Sequence, residues 1–304
     1  MIIVQALVYF IGGLLVGGGS QRIVLKSNVS HIRALFAGSV IFFCEGQHWL
    51  LSIVGCLGIS IGIALQPVGL TGGIACGKSS VARKLVEENP DEFSVIDVDG
   101  IAHSILEPGI GAAYGKIVKE FGHLDIFETA TESLQTPRKI NRRKLGEVIF
   151  PNNQRRKRLN QITHPIITKL MIWEMIKLKC LQFYPVVVVD IPLLFEGKLQ
   201  WLFGLVIVVA CSSEIQLKRL MSRNKDLTEK QCQDRVASQM PIVLKCSKAD
   251  CVIYNDGSVE ELNEKIHDTI KQVRKRHGRF HFLQLIAIGM TLKWVGLKII
   301  SGYQ

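Results

Sequence analysis

The clearest chemical pattern in the sequence is a short glycine-rich stretch that ends in a lysine and a serine. It contains Gly72, Gly77, Lys78 and Ser79 at the spacing G-x-x-x-x-G-K-[ST]. In this pattern the glycines let the backbone wrap around a phosphate group with its N–H groups pointing inward. The helix that follows contributes the positive end of its dipole. The stretch therefore predicts a loop that binds the phosphates of a nucleotide.

Two side chains of this loop have distinct expected roles. Lys78 is expected to reach the β- and γ-phosphates, and the hydroxyl of Ser79 to hold a magnesium ion. The alternative, a chance glycine-rich turn, is disfavoured because an apolar strand pattern precedes the loop and a helical pattern follows it. The predicted nucleotide-binding residues of the loop are Gly72, Gly73, Ile74, Ala75, Cys76, Gly77, Lys78, Ser79 and Ser80.

A second group with chemical potential consists of two carboxylates at the end of a predicted strand, Asp97 and Asp99. Open α/β sheets bind their ligands at this edge, outside the carboxyl ends of the strands. An acid there can accept the proton of an attacking hydroxyl group. One of the two residues can point into the site while the other caps the next helix, and the alternative that both are helix caps stays open.

Strand-like and helix-like segments alternate along the middle of the chain. Runs of apolar, β-branched residues such as those in 185–190 and 205–210 are typical of strands buried on both faces of a parallel sheet. The alternation predicts an α/β fold with a doubly wound parallel sheet flanked by helices. The predicted strands are 61–70, 94–97, 185–190, 205–210 and 251–254, and the predicted helices are 77–88, 101–106, 112–121, 142–150, 166–181, 214–223, 228–239 and 259–273.

Bulk composition indicates a folded chain with anionic partners. Of the 304 residues, 48% are hydrophobic and 21% are charged, which is typical of a globular rather than a disordered protein. The formal net charge of +11 favours nucleotides, nucleic acid or a membrane surface as partners, and a merely solvated basic surface explains it equally well. The eight cysteines form no C-x-x-C pair and no zinc spacing with histidine, so reduced thiols in a cytosol-like compartment are expected.

The chain divides by composition into three parts. Residues 1–66 form an apolar extension, residues 67–276 the domain that carries the motifs, and residues 277–304 a tail that is apolar behind a basic front edge. Residues 1–21 carry no charge and are about long enough to span a bilayer. The extension is therefore interpreted as an anchor, a targeting segment or a wrongly assigned start. For the tail, three alternatives are open: a helix that lies in a membrane interface, a helix that barely spans a membrane, and a helix packed on the domain.

The order of further motifs resembles the dephospho-CoA kinase family. The resemblance covers about residues 68–273 and begins with the glycine loop and the strand that leads into Asp97 and Asp99. Later landmarks, in family order, are Glu107-Pro-Gly, Asn141-Arg-Arg-Lys-Leu-Gly, Thr163-His164-Pro165, Asp190-Ile-Pro-Leu-Leu-Phe-Glu196, Arg219 with Arg223, Arg235 with Gln239, and Asn255-Asp-Gly257. The resemblance implies a P-loop kinase with a helical acceptor-binding subdomain and a lid.

The resemblance also implies a reaction. Members of the family use ATP with Mg²⁺ to phosphorylate the ribose 3′-hydroxyl of dephospho-CoA, the last step of coenzyme A synthesis. The implied partner is this small-molecule substrate, and no nucleic acid is expected. The alternatives are another small-metabolite or nucleoside kinase of the same fold, and a membrane-tethered protein that binds nucleotide without turnover. A cytoplasmic and a mitochondrial location both stay open, each with or without membrane contact through the apolar ends.

Matching positions imply the roles of individual residues. Asp99 is expected to be the catalytic base, assisted by Lys78 and Arg219. The other implied roles are acceptor binding for Asp97, His164 and Arg235, nucleotide binding for Arg223, Asn255 and Gly257, and magnesium binding for Ser79 and Asp190. For His164 the alternative is a cap on the helix after Pro165, and for the lid arginines it is a solvated helix face.

Two features depart from the family pattern. Cys76 occupies a loop position where the family has a small residue, and the nearby helix N-terminus is expected to lower the pKa of its thiol. This suggests the hypothesis that oxidation of Cys76 blocks ATP binding. The segment Glu128–Lys139 reads as an inserted surface loop without effect on the reaction.

Overall fold

Two units make up the part of the chain that the computed structural model describes, namely residues 67–128, 137–149 and 151–276. The first unit contains the described residues up to Val95 and again from Tyr184, and the second unit is Ile96–Phe183. The second unit is thus inserted in the sequence of the first.

The first unit is built around a five-stranded sheet, and the last two residues of the strand Phe93–Asp97 already belong to the second unit. Its strands are β1 (Val68–Gly72), β2 (Phe93–Asp97), β3 (Val186–Asp190), β4 (Leu205–Ala210) and β5 (Cys251–Tyr254). They lie in the order β2-β3-β1-β4-β5. β1 pairs in parallel with both β3 and β4, and β4 pairs in parallel with β5. The predicted α/β fold with a parallel sheet is confirmed.

The central strands are apolar because both of their faces are covered. Every residue of β1, β3 and β4 is buried, whereas the outer strands β2 and β5 contain partly exposed residues. In the register of β1 with β3, Leu70 lies opposite Asp190. The carboxyl end of β3 therefore lies beside the end of β1, where the glycine loop begins.

Nine α-helices follow or connect the strands in the described residues, and a π-helical turn, Lys177–Leu181, continues the fifth of them. They are α1 (Lys78–Glu88), α2 (Val98–Ser104), α3 (Tyr114–Phe121), α4 (Arg142–Ile149), α5 (Asn153–Ile176), α6 (Ser213–Arg223), α7 (Glu229–Ala237), α8 (Ile242–Lys248) and α9 (259–276). Val81 and Leu85 of α1 share one buried apolar cluster with Ile266 and Ile270 of α9 and with residues of the sheet. Burial of these apolar side chains supplies the main stabilisation of the first unit.

The second unit is helical, as the implied acceptor-binding subdomain requires. Its helices α2 to α5 surround a separate core. The buried residues of this core are Ile105, Ala113, Ile117, Phe121, Ile126, Phe127, Ile140, Leu145 and Ile149.

Helix α5 corrects a sequence prediction. The prediction began a helix at residue 166, because proline is rarely found inside a helix. In the structure α5 begins upstream and runs through Pro165 for 24 residues in all. The side chain of Asn152 caps its start by accepting hydrogen bonds from two backbone N–H groups of the first turn. His164 consequently lies in the interior of the helix, and the alternative that it caps a helix after Pro165 is wrong.

The predicted insertion Glu128–Lys139 is anchored at its two ends. Phe127 and Ile140 form an antiparallel bridge, and the N–H of Glu128 donates to the carbonyl of Lys139 over 2.9 Å. Residues 129–136 lie outside the described part of the chain. The two described ends of the segment are therefore held next to each other.

The remaining predicted elements are confirmed with small shifts at their ends. The strands 205–210 and 251–254 agree with β4 and β5 at both ends. The first strand begins at Val68, after Pro67, rather than at 61, although 61–66 lie outside the described residues. Helix α8 and a 3₁₀ turn, Leu199–Leu202, were not predicted, because both are too short for a clear period.

The membrane predictions concern the two ends of the chain. Within residues 67–128, 137–149 and 151–276, no helix has the length and apolar character needed to cross a membrane. The extension 1–66 and the tail 277–304 lie outside these residues.

Candidate active site

The glycine loop connects the end of β1 to the start of α1. Gly77, which precedes the helix, has a φ of 91°, a left-handed conformation that favours glycine. A Cβ at this position would also collide with the side-chain nitrogen of Asn255. Ala75 is left-handed as well, with a φ of 61°. Such left-handed residues curve the backbone in the way that anion-binding loops require.

Asn255 holds this loop from the end of β5. Its side chain is buried, and its Nδ2 donates to the carbonyl of Cys76 over 2.9 Å. Its backbone N–H donates to the carbonyl of Ala210 over 2.8 Å, and its carbonyl accepts from Arg219 Nη1 over 3.0 Å. The sequence predicted nucleotide binding for Asn255, and the structure gives its side chain a supporting contact to the loop.

Two glutamines hold Ile74 at the middle of the loop. Gln216 Nε2 donates to the carbonyl of Ile74 over 2.9 Å, and the N–H of Ile74 donates to Gln239 Oε1 over 2.9 Å. Gln216 is buried on α6, while Gln239 follows α7. Because both backbone groups of Ile74 are bound, the two side chains fix the orientation of this peptide segment.

The lysine of the loop forms an ion pair at the end of the adjacent strand. Lys78 Nζ contacts a carboxylate oxygen of Asp190, which ends β3. Asp190 is almost fully buried, so its charge is poorly screened by water. Nearby, Thr71 Oγ1 donates to the carbonyl of Pro192 over 3.0 Å, which ties β1 to the segment after β3. The predicted residues Lys78 and Asp190 are thus brought together.

Two side chains in this region have oxygen atoms that are suited to bind magnesium. Ser79 lies in the first turn of α1 and is exposed, and Asp190 offers a carboxylate. Mg²⁺ prefers such oxygen ligands and keeps several waters, so a hydroxyl and one carboxylate match its demands. Among the described residues there is no group of three or more His, Cys, Asp or Glu side chains that could hold a metal by themselves.

A buried lysine that the sequence did not single out also contacts the loop. Lys245 of α8 is fully buried, and its Nζ lies 2.9 Å from Glu196 Oε1 and 3.3 Å from the carbonyl of Gly72. Burial acts to raise the pKa of Glu196, but the hydrogen bonds from Lys245 and from the backbone N–H of Met240 outweigh it, so the pKa lies below its ordinary value.

Cys76 corrects the prediction made for its thiol. The residue is buried, and its Sγ lies 3.1 Å from the Sγ of Cys211, which follows β4. The hydrogen bond with Cys211 and burial both raise the pKa of Cys76, contrary to the expected lowering. The contact with Cys76 and the charge of Arg219 lower the pKa of Cys211 despite its burial.

The predicted lid arginines, Arg219 and Arg223, both lie on α6, and the predicted acceptor-binding residue Arg235 lies on α7. Arg219 is half-buried through its bond to Asn255, whereas Arg223 is exposed in the last turn of α6 and bonds Asn224 over 3.3 Å. Arg235 is exposed near the end of α7. The alternative of a solvated helix face, which was left open for the two lid arginines, describes the surroundings of Arg223 but not those of Arg219.

Two predicted acceptor-binding residues, Asp97 and His164, and the predicted base Asp99 belong to the second unit, whereas the third predicted acceptor-binding residue, Arg235, belongs to the first. Asp97 ends β2 and stands at the cap position of α2, but its side chain makes no capping hydrogen bond. Asp99 lies in the first turn of α2, and both carboxylates are exposed. His164 is exposed on α5. The alternative that both aspartates serve as helix caps is not supported by their hydrogen bonds.

Within the first unit, the structure therefore brings the predicted loop residues together with Asp190, Asn255 and Arg219. Gly257 follows in the bend between β5 and α9. Gln216, Lys245 and Cys211 are contacts that the sequence analysis missed. Their partners in the loop are 142, 173 and 135 residues away in the sequence, so no local spacing could have indicated them.

Comparison with known proteins identifies relatives over this same region. A family model described as dephospho-CoA kinase matches residues 66–261. A dephospho-CoA kinase from Oceanobacillus iheyensis is 41% identical over 205 residues, which is 67% of this chain and 96% of that protein. One from Arabidopsis thaliana is 35% identical over 238 residues, which is 75% of this chain and 97% of that protein. A crystal structure of a Thermus thermophilus protein, 28% identical, superposes with a TM-score of 0.55 over 68% of this chain and 98% of that one.

Proposed function

The chain belongs to the dephospho-CoA kinase family, and we propose that it transfers the γ-phosphate of ATP to the ribose 3′-hydroxyl of dephospho-CoA. This reaction is the last step of coenzyme A synthesis. The observation that carries the proposal is that the family match, residues 66–261, contains a complete phosphate loop whose Lys78 is paired with Asp190.

ATP is the phosphate donor in this proposal. The backbone N–H groups of the loop and the Nζ of Lys78 bind its phosphates, and the N-terminus of α1 adds its dipole. Ser80 belongs to the same helical turn. Arg223 pairs with a phosphate, since its guanidinium is exposed and presents several donors. Asn255 and Gly257 are proposed to contact the adenine.

A magnesium ion is proposed to accompany ATP. Ser79 and Asp190 would hold it, since hydroxyl and carboxylate oxygens are suited to this ion. When bound, the ion supplies charge neutralisation on the phosphate oxygens. Asp190 would at the same time remain close to Lys78, with which it pairs in the structure.

Asp99 is proposed as the base that accepts the proton of the attacking 3′-hydroxyl. Its carboxylate is exposed and free of a capping role, which leaves it available to a substrate. Asp97, His164 and Arg235 are proposed to bind dephospho-CoA. Arg219 stabilises the charge that develops on the transferred phosphoryl group, and its bond to Asn255 holds it on the loop side of α6.

The test is phosphate transfer by the purified full-length chain. The chain is given ATP, Mg²⁺ and dephospho-CoA, and in separate reactions adenosine or a nucleoside monophosphate as the acceptor. We expect coenzyme A with a new 3′-phosphate, identified by mass spectrometry and phosphorus NMR. Faster transfer to a rival acceptor would assign the chain another substrate. ATP binding without transfer to any acceptor would support a binding protein instead.

A further inference from the structure

Lys245 is a buried cation that joins the phosphate loop to two other segments. Its side chain is completely shielded from water, and its Nζ lies 2.9 Å from Glu196 Oε1. The same ammonium group donates to the carbonyls of Gly72 and Pro192, each over 3.3 Å. A lysine has three N–H donors, so these contacts use its whole donor capacity.

One partner of Lys245, Glu196, also links it to a second contact of the loop. Glu196 Oε1 also accepts the backbone N–H of Met240 over 2.9 Å. Gln239, the residue before Met240, accepts the N–H of Ile74 over 2.9 Å. The loop is thus held at Gly72 through Lys245 and at Ile74 through Gln239, and Glu196 connects the two supports.

Stabilisation of the fold alone does not explain why a Lys245–Glu196 ion pair is placed here. Burying an ion pair costs desolvation energy, and apolar residues of similar volume are often as stable or more stable. A charge-assisted hydrogen bond does, however, fix the position of a carbonyl more strongly than apolar packing does. The carbonyl in question belongs to the first glycine of the phosphate loop.

We propose that Lys245 is a positioning residue for nucleotide binding, which, together with Glu196, holds the first peptide of the phosphate loop in its binding conformation. The proposal rests on the proposed function only in that the loop binds ATP. It does not depend on which acceptor receives the phosphate.

The experiment compares four variants of the full-length chain: Lys245→Met, Glu196→Gln, the double variant, and Lys248→Met as a control. Lys248 is an exposed lysine on the same helix. The dissociation constant for ATP is measured by calorimetry, the melting temperature by circular dichroism, and KM and kcat with dephospho-CoA.

We expect Lys245→Met to lower the melting temperature, because it leaves the Glu196 carboxylate without its cation. It should also weaken ATP binding on the order of tenfold or more, the scale of one hydrogen bond to a charged group. KM for ATP should rise by the same factor while KM for dephospho-CoA stays unchanged. Lys248→Met should match the wild type in every measurement.

The double variant separates positioning from stability. It contains no unpaired charge, so its melting temperature should recover towards the wild-type value, while ATP binding stays weak. Recovery of ATP affinity together with stability would show a purely structural role and overturn the proposal. If Lys245→Met alone does not fold, the ATP affinity of the double variant alone tests the proposal. A chain that binds ATP but forms no coenzyme A would refute the proposed function and leave this comparison valid.

A second inference rests on the two thiols beside the loop. Cys76 and Cys211 are both buried, with their sulfurs 3.1 Å apart. A disulfide needs an approach of only about 1 Å more. The Cys76 sulfur also lies against Gly73, where an added Cβ would come within 2.7 Å of it. Because Cys76 is itself part of the loop, a bond between its sulfur and that of Cys211 would tie the loop to the end of β4.

We infer that hydrogen peroxide converts Cys76 and Cys211 into a disulfide that weakens nucleotide binding. Peroxide gives one oxygen atom to the sulfur of Cys211, which forms a sulfenic acid and releases water. The Cys76 thiol then attacks that sulfur, the S–O bond breaks, and a second water leaves with the Cys76 proton. The two sulfurs supply the two electrons that reduce the peroxide.

The test treats the full-length chain with peroxide and measures three quantities. We expect a peptide cross-link between Cys76 and Cys211 with the loss of two hydrogens, weaker ATP binding, and reversal of both by dithiothreitol. Cys211→Ser should bind ATP normally and resist peroxide. A cross-link without a change in ATP affinity would overturn the inference, as would equal peroxide sensitivity of Cys211→Ser and the wild type.

Discussion

At the residue scale, the positive charge of Lys78 is held at the loop by the carboxylate of Asp190. The ion pair with Asp190 places the ammonium group at the end of β3, beside the loop itself. Phosphoryl transfer depends mainly on such placed charges, because the transferred group carries negative charge on its equatorial oxygens. The side chain of Lys78 is therefore expected to matter for the reaction far more than for folding.

Replacement of this lysine tests that expectation. Lys78→Ala should lower kcat/KM for ATP by on the order of 10²-fold or more, the usual cost of removing one placed donor. Initial-rate kinetics of coenzyme A formation measure the effect. The matched control is Arg83→Ala, since Arg83 is an exposed basic residue of the same helix that pairs only with Glu87 among the described ion pairs. Equal losses in the two variants would refute a specific role for Lys78.

Glu196 makes stability depend on pH. Its pKa in the folded chain lies below the ordinary value of 4.5, since the bonds from Lys245 and Met240 outweigh the opposing effect of burial. The stabilisation from this carboxylate is therefore complete above the unfolded-state pKa, and it is lost as the pH falls through the folded-state pKa. Glu196→Gln should be less stable than the wild type at pH 7 in urea unfolding, and the difference should shrink below about pH 4.5.

The sequence could predict the residues of the phosphate loop but not the distant side chains that contact it. Gly72 to Ser79 are contiguous, so their spacing alone specifies the chemistry. Gln216 and Lys245 touch the same loop from 142 and 173 residues away, and their positions resemble those of ordinary helix residues. The acidity of Cys76 was mispredicted for the same reason, because its decisive neighbour, Cys211, lies on another strand end.

At the element scale, the strands were easier to predict than the helices. The valine run of β3 and the apolar run of β4 indicate burial on both faces, which is a local property. The strand order β2-β3-β1-β4-β5 depends on contacts across the chain and could not be predicted from any segment. Helix α5 starts after the Asn152 cap and continues through Pro165, so a rule based on proline alone places the helix start wrongly.

The cap of α5 gives a prediction about stability. Asn152→Ala removes the acceptor for two backbone N–H groups and should lower the free energy of unfolding by about 1 kcal/mol. Urea unfolding followed by circular dichroism measures the change. Asn160→Ala, at an exposed position inside the same helix, is the control and should leave stability unchanged or slightly higher, because alanine favours helix. If both variants lose the same stability, the cap has no special role.

At the scale of the whole molecule, the proposed roles divide between the two units. The first unit carries the phosphate loop with Lys78 and Asp190, and the second carries Asp97, Asp99 and His164. Nucleotide binding is therefore expected to need only residues of the first unit. Phosphate transfer is expected to need residues of both.

The most direct test of this account is the variant Asp99→Asn in the full-length chain. We predict that it binds ATP as the wild type does, while kcat for coenzyme A formation falls on the order of 10²–10⁴-fold, the range for loss of a general base. Asp91→Asn, at an exposed position before β2, should keep the wild-type rate. A wild-type rate in Asp99→Asn, or a loss of ATP binding equal to the loss of rate, would contradict the account.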